Sequence, residues 1–143
     1  MFRFRLKSVL HLREHKEKAC RDEVARCIQL LNSAQKREKV IFQQILELLQ
    51  TQKKMQEGTI TVSALLLTAD YLHYQKKQHI LQKQLVRNKM NELQEARARL
   101  FEAMKQKKIM TKLEDKQLNE YNYAQARIEQ AILDDLANRT LKR

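Results

Sequence analysis

The side chains in this sequence that are most able to do chemistry occur as two pairs near its beginning. His11 and His15 are four residues apart, and Cys20 and Cys27 are seven apart. On a helix each pair shares a face, but a zinc site needs three or four ligands, and thiols seven residues apart lie about 10 Å apart along the axis, beyond the reach of a disulfide. The sequence therefore predicts no metal site and reduced cysteines, as in a cytoplasmic protein.

Other catalytic machinery is absent from the sequence. There is no glycine-rich phosphate loop and no nucleophile elbow, and a chain with one Gly and no Pro has few ways to fold around a pocket. Asp134 and Asp135 are adjacent, so on a helix they point about 100° apart and do not converge. We expect a protein that is not an enzyme and that binds no cofactor.

The net charge of +12 predicts an acidic partner or, equally, a solvated basic exterior. Residues Lys76–Lys116 hold twelve basic side chains, but Phe101 is their one aromatic residue suited to stacking on a base, so no nucleic-acid partner is expected. The apolar stretch Gly58–Ala69 is about half of the ~20 residues that a spanning helix needs, so no membrane insertion is expected.

The elements that carry these residues are predicted to be two long helices. Gln, Lys, Glu, Leu, Ala and Arg dominate the composition, which favours an all-α fold. Alternating steps of four and three residues give a heptad series, the signature of a coiled coil. Most of its members are apolar: Cys20, Val24, Cys27, Leu31, Ala34, Glu38, Ile41, Ile45, Leu48, Gln52 and Met55.

A single turn signal divides the chain. Gly58 precedes β-branched residues and two candidate N-caps, Thr61 and Ser63. The prediction is one domain, 1–143, with helix 1 at about 3–56, a turn at about 57–63 and helix 2 at about 64–141. The apolar positions of helix 2 drift away from a strict heptad, which predicts weaker supercoiling: Leu81, Leu85, Leu93, Ala96, Leu100, Ala103, Met110, Leu113, Tyr121, Ala124, Ile128, Ile132 and Leu136.

Two helices joined by a short loop run antiparallel. With residue 60 as the tip, residue i faces about residue 120 minus i, so helix 2 overhangs helix 1 by about 25 residues, or ~35 Å. The overhang keeps an apolar stripe that no part of the chain is left to cover, which predicts a partner. Its members are Tyr121, Ala124, Ile128, Ile132 and Leu136.

A second apolar stripe lies near the turn and is wider than a two-stranded coil needs. Phe42, Leu46 and Leu49 follow it on helix 1. On helix 2 it contains Leu65, Leu66, Leu67, Tyr71, Leu72 and Tyr74. The surplus predicts either a fold-back of the tip segment or contact with another protein.

The beginning of the chain follows the pattern Phe-x-Phe-x-Leu-x-x-Val-Leu-x-x-Arg, with Phe2, Phe4, Leu6, Val9, Leu10 and Arg13 at its fixed positions. In this pattern the chain resembles the FliJ family of flagellar export proteins, whose members open in the same way. The stretch Tyr71-Leu72-x-Tyr74 and the segment Ile132–Ala137 are also similar to the family, although Gln75 stands where a hydrophobic residue is usual.

The resemblance implies a central stalk for the hexameric flagellar export ATPase, peripherally associated with the export apparatus at the inner membrane. It implies further contact with the cytosolic part of the membrane export gate and with export chaperones. The residues expected to bind the ATPase are Arg3, Arg5, Lys7, Arg13, Tyr121, Ile128, Ile132 and Leu136; those expected to bind the gate are Phe42, Leu46, Tyr71, Leu72 and Tyr74. Alternatives are a needle-type (injectisome) secretion stalk, a generic scaffold and a nucleic-acid-binding coiled coil.

Overall fold

A computed structural model describes residues 1–59 and 61–141 of the chain. Helix α1 is Lys7–Gln56 and helix α2 is Val62–Leu141, and none of the described residues is in a strand. The fold is thus the all-α, antiparallel two-helix hairpin that the heptad pattern predicted. Residue 60, the predicted tip, lies outside the described residues.

The first helix starts later than the sequence indicated. It begins at Lys7 rather than at about residue 3. The Lys7 amide donates to the Phe4 carbonyl at 3.3 Å, and Phe4 itself is buried. The first residues therefore form a turn that packs an aromatic ring inward, which a continued helix would direct elsewhere.

The turn follows the signals in the sequence. After α1 ends, the Glu57 and Gly58 amides donate to the carbonyls of Lys54 and Met55, at 3.3 and 3.5 Å. Residue Thr61 immediately precedes α2, and its carbonyl accepts the first bond of that helix, from the Leu65 amide at 3.2 Å. Gly58 does not adopt a positive φ, so its role here is its low helix propensity rather than a left-handed conformation.

The described contacts fall into two units. The first comprises Met1–Ala19 and Leu100–Arg143, and the second comprises Cys20–Arg99. We refer to them as the terminal unit and the turn unit. Each contains a segment of α1 paired with a segment of α2, and each is described by itself.

Burial along α1 confirms the heptad series residue by residue. Every position of the series from Cys20 to Met55 is buried or half-buried, and the residues between them are exposed apart from Glu23 and Gln35. We call these inward positions the seam. In the turn unit the tightest part of the seam joins both helices in one cluster: Cys27, Leu31, Leu93 and Ala96, with Val24 and Val86 against it.

The drift expected for α2 is wrong. Its seam also repeats every 3.5 residues, but it passes beside Leu81 and Leu85, which are 56% and 40% exposed. The phase was hidden because polar residues occupy several seam positions. The α2 seam is Leu65, Thr68, Leu72, Gln75, His79, Gln82, Val86, Lys89, Leu93, Ala96, Leu100, Ala103, Lys107, Met110, Glu114, Gln117 and Tyr121.

Several polar seam residues of the turn unit contact polar groups of the opposite helix. The buried Gln82 amide donates to the Ala34 carbonyl of α1 at 2.9 Å. His79 Nε2 lies 3.6 Å from a carboxylate oxygen of Glu38, across the seam. Because a buried polar group without a partner is destabilising, these bonds let the seam accept residues that a sequence pattern assigns to the surface.

The terminal unit has a comparable polar section. Arg13 donates to the Gln106 side chain at 2.8 Å, and the buried Glu17 carboxylate lies 3.0 Å from Lys107 Nζ. Arg13 and Glu17 continue the heptad phase of α1 before Cys20 and are charged where the pattern favours apolar residues. The structure shows that α2 supplies a complementary side chain for each of them.

The register agrees with the sequence prediction in both units. In the turn unit Ala34 contacts Gln82 and Met55 contacts Thr68. In the terminal unit Arg13 contacts Gln106 and Phe2 contacts Tyr121. The two residue numbers of each pair add up to about 120, as expected for antiparallel helices joined at that turn.

The corrected phase of α2 makes a testable prediction with two neighbouring residues. Val86→Ala removes two methyl groups that pack against the core cluster, so we expect it to lower the free energy of unfolding by about 1 kcal/mol or more. Leu85→Ala removes a larger but exposed side chain and should change it by about 0.5 kcal/mol or less. Urea unfolding followed by circular dichroism measures both changes in the free energy of unfolding. If Leu85→Ala were the more destabilising of the two, the drifting stripe predicted from the sequence would describe α2 better.

Candidate functional site

The first candidate site is the end of α2 beyond its last contact with the beginning of the chain. Every residue from Asn122 to Leu141 is exposed. We call this segment the tail. The overhang predicted from the sequence is therefore present, and the three large aliphatic side chains of its predicted stripe keep more than half of their surface in water: Ile128 at 54%, Ile132 at 55% and Leu136 at 53%.

Tyr121 differs from the other members of that stripe. It was expected to lack an intrachain partner, but its ring lies 5.7 Å from the ring of Phe2 and the residue is half-buried. Offset aromatic pairs at this distance are stabilising. Tyr121 thus closes the paired part of the terminal unit, and the unpartnered stripe begins after it.

The apolar stripe of the tail leaves the heptad phase after Ile128. Continuing the seam from Tyr121 in alternating steps of three and four passes Ala124 and Ile128 and then reaches Ala131 and Asp135, which are small or charged. The large side chains recur instead in steps of four, and each such step turns about 40° around the helix. A surface that covers Ile128, Ile132 and Leu136 must therefore follow a path different from that of α1.

The basic residues at the beginning of the chain divide into two groups. Arg3, Arg5 and Lys7 are exposed, whereas Arg13 is half-buried and donates to Gln106. The structure thus leaves the first three available to a partner and gives Arg13 a place in the seam.

The second candidate site lies in the turn unit, where the two sides of the helix pair differ. In an antiparallel coil the residues that directly follow seam positions lie on one side of both helices, and those that directly precede them lie on the other. A shallow cleft on the first side confirms this arrangement, because Gln35, Lys39 and Phe42 of α1 line it together with Lys83 of α2.

The residues expected to bind the gate do not share one side. Phe42 and Leu46 follow seam positions and are 49% and 45% exposed, and Phe42 lies over the His79 ring at 5.5 Å. Tyr71 and Tyr74 precede seam positions, so they lie on the opposite side, at 48% and 54% exposed.

Leu72 is the fifth member of that set and is a seam residue. It is only 7% exposed, so its side chain packs between the helices and is not available to a partner. Gln75, which stands where the family usually has a hydrophobic residue, is buried beside it and donates to the Tyr71 hydroxyl at 3.0 Å. The polar substitution therefore holds Tyr71 in place.

The fold-back alternative for the surplus apolar residues is not supported. Leu46 and Leu66 remain 45% and 60% exposed, and Leu67 is 73% exposed, so the described part of the tip segment does not cover them. These side chains form an exposed apolar surface near the turn.

The two sides of the turn unit also differ in charge, which the sequence analysis missed. No residue that follows a seam position between Cys20 and Arg99 is acidic among those described, and seven are basic: Arg21, Lys39, Lys53, Lys76, Lys83, Arg87 and Arg97. We call this side the basic flank. The other side, the mixed flank, holds Arg26, Arg37, Lys54 and Arg99 together with Glu23, Glu47, Glu92 and Glu95.

The side chains first considered for chemistry have local structural roles. His11 Nδ1 lies 3.2 Å from the Glu14 carboxylate, and Cys20 and Cys27 are unpaired thiols at seam positions. Asp134 accepts a bond from Gln130 at 3.0 Å. Within the described residues no group of three or more His, Cys, Asp or Glu side chains is arranged to hold a metal ion.

The model of the family described as flagellar FliJ protein matches residues 1–143. Among solved structures, the chain is similar to a protein of Chlamydia trachomatis described as a proposed YscO homologue, with a TM-score of 0.53 and 16% identity over 96% of this chain and 94% of that one. At that identity the likeness concerns the fold. No curated protein sequence gives a significant match.

None of the described helices combines the length and the hydropathy that crossing a bilayer requires.

The structure predicts that the tail does not stabilise the paired helices. A chain truncated after Tyr121 loses only exposed residues among those described, so its free energy of unfolding should change by about 0.5 kcal/mol or less. Tyr121→Ala in the full chain should cost more, about 1 kcal/mol, because it removes the ring that packs on Phe2. Urea unfolding compares the three chains, and a large loss on truncation would show that the tail packs within the protein.

Proposed function

Because the chain belongs to the family of flagellar FliJ proteins, we propose that it acts as a central stalk of the flagellar type III export apparatus. In this role the tail enters the ring of the hexameric export ATPase and promotes its assembly. Family membership itself gives a coarser statement, namely that the chain is a component of type III protein export of a non-enzymatic kind.

The observation that carries the proposal is the unpartnered stripe of the tail. Ile128, Ile132 and Leu136 lie on successive turns of one helix and each is about half exposed. Burying an aliphatic side chain of this size stabilises a complex by roughly 1.5 kcal/mol or more, and about half of that remains to be gained here. A ring that surrounds a single helix can cover a stripe that winds around that helix.

The beginning of the chain supports the same placement within the terminal unit. Phe2 packs on Tyr121, so the exposed side chains of Arg3, Arg5 and Lys7 lie close to the residue at which the tail starts. Cations at the rim of an interface raise the rate of association and its sensitivity to salt more than they raise affinity. We propose that these three residues contact acidic groups at the mouth of the ring.

The exposed surface near the turn is the proposed contact with the cytosolic part of the export gate. It offers aromatic side chains on both flanks, Phe42 on the basic flank and Tyr71 and Tyr74 on the mixed flank. Exposed aromatic residues are enriched in binding hot spots because they bury a large area at a small cost in conformational entropy. Engagement of export chaperones and a cytoplasmic location beside the inner membrane are further parts of the proposal.

The observations do not favour the alternative functions equally. The family match favours a flagellar system over a needle-type one, since the likeness to the Chlamydia trachomatis protein concerns the fold. A generic scaffold would need no ATPase partner, and this difference can be tested directly.

The stalk proposal predicts that the effect of a single polar substitution in the tail on ATPase stimulation depends on which face of the helix carries it. Ile132→Gln lies on the stripe, so it should reduce stimulation of the export ATPase at least several-fold. Leu133→Gln is the matched control, because Leu133 is similarly exposed, at 60%, but points about 100° away. ATP turnover of the purified ATPase is measured at increasing concentrations of each variant.

Circular dichroism should show that both tail variants keep the helicity of the original chain. Equal stimulation by the two variants and the original chain would refute insertion of this stripe into the ring. Equal loss of stimulation in both variants would show that the ATPase contacts more than one face of the tail.

The gate proposal predicts that substitutions on the two flanks differ in their effect on gate affinity. A partner segment that packs on one flank loses affinity when that flank is changed and is little affected by the other. We therefore expect one of the double variants Phe42→Ser/Leu46→Ser and Tyr71→Ser/Tyr74→Ser to weaken binding to the cytosolic gate fragment about tenfold or more, and the other to change it about threefold or less. Isothermal titration measures both affinities.

Unfolding measurements on the same two double variants provide the control. The four residues are about half exposed, so neither variant should lose the fold. Unchanged gate affinity in both would contradict the proposal, and comparable loss in both would show that the gate encloses the helix pair.

A further inference from the structure

The basic flank of the turn unit has a property that the stalk function does not use. Every cation on it is exposed, and among the described residues none that follows a seam position is acidic, although the mixed flank has four acidic residues. The seam residue Glu38 lines the cleft on this side. Charges on a helix surface usually alternate in sign, which limits self-repulsion. A face with one sign of charge attracts an anionic surface and is repelled by its own neighbours until it binds one.

The same flank carries exposed apolar side chains between the cations. Ile80 and Leu66 are 65% and 60% exposed, and Leu46 and Met90 are both 45% exposed. On α2, Ile80 lies three residues before Lys83 and seven before Arg87, so cations and apolar groups share one face of the helix. Basic residues around exposed aliphatic residues are the pattern of helices that lie in a membrane interface.

From this pattern we propose that the basic flank of the turn unit binds the surface of an anionic phospholipid bilayer. The cations contact lipid phosphates, and Leu66, Ile80 and Met90 enter the boundary between headgroups and acyl chains. The contact is interfacial and places no helix across the bilayer, in accord with the absence of a spanning helix among the described residues.

The positions of these side chains favour a lipid surface over an acidic protein helix. A helix docked between α1 and α2 would touch mainly the residues that line the cleft, such as Gln35, Phe42 and the seam pair Glu38 and His79. Ile80 and Arg87 follow the other set of seam positions, at the outer edge of the flank. An extended surface contacts the outer edge of both helices, whereas a single docked helix does not.

A lipid surface also fits better than a nucleic acid. Single-stranded nucleic acid is bound by aromatic rings on which successive bases stack. On the basic flank the exposed apolar residues are aliphatic apart from Phe42, and that ring already lies against His79. Aliphatic side chains gain little from bases but gain from transfer into a bilayer interface.

Co-sedimentation of the full chain with vesicles tests the proposal. We expect binding to vesicles of phosphatidylglycerol and phosphatidylcholine, weaker binding at high salt, and little binding to phosphatidylcholine alone. Lys83→Gln/Arg87→Gln should lower the partition coefficient about tenfold or more, since each cation near an anionic surface contributes a factor of about five. Lys36→Gln/Arg37→Gln, which removes the same charge outside the basic flank, should lower it about threefold or less.

A second pair of variants tests the apolar part of the contact. Ile80→Ser should weaken binding several-fold, whereas Leu81→Ser should not, because the adjacent and similarly exposed Leu81 lies on the mixed flank. Circular dichroism checks that all four variants stay helical.

Equal losses in the two charge variants would show attraction by net charge alone and overturn the proposal. Absence of binding to anionic vesicles would overturn it too. If the flank variants then lost affinity for an acidic amphipathic peptide, the flank would be assigned to a protein partner. None of these outcomes depends on the ATPase, so the lipid contact and the stalk function stand or fall separately.

Discussion

Each helix of this chain has one other helix to pack on, and this constraint governs the rest of the structure. Only a narrow stripe of each can leave water, at every third and fourth residue in turn. The core is correspondingly thin: no side chain among those described is both large and fully buried, and the tightest cluster consists of Cys27, Leu31, Leu93 and Ala96. Most of the remaining large apolar residues among those described are exposed, where they are free to meet partners.

The same constraint explains the polar residues of the seam. A seam with few large side chains tolerates a Gln or a charged residue whenever the opposite helix offers a bond, as Ala34 does for Gln82 and Lys107 does for Glu17. Such residues contribute less to stability than apolar ones, but they fix which positions face each other. A fixed register matters here, because it determines at which residue of α2 the pairing with the beginning of the chain stops, and thus where the tail begins.

The sequence predicted α1 almost residue by residue but not α2, and the difference has a physical cause. In α1 the seam residues are mostly apolar, so their spacing is visible. In α2 Gln75, Gln82 and Lys89 hide the phase, while the exposed Leu81 and Leu85 imitate another one. The partners that make Gln82 acceptable become known only with the register. The tail and its stripe were predictable from the position of the turn. The placement of Phe42 and Tyr71 on opposite sides of the helix pair, and the lack of acidic residues on the basic flank, can be recognised only with the correct phase of both helices.

The position of the single turn also sets the order in which the protein can form. Met55 and Thr68 are 13 residues apart in the chain, Ala34 and Gln82 are 48 apart, and Arg13 and Gln106 are 93 apart. Because closing a longer loop costs more entropy, pairing of α1 with α2 starts beside the turn and proceeds along the helices away from it. During synthesis the whole of α1 leaves the ribosome before α2 emerges, with its seam open to water and to other nascent chains. The segment from which the tail extends is the last to pair, and on the reverse path it is the first to separate.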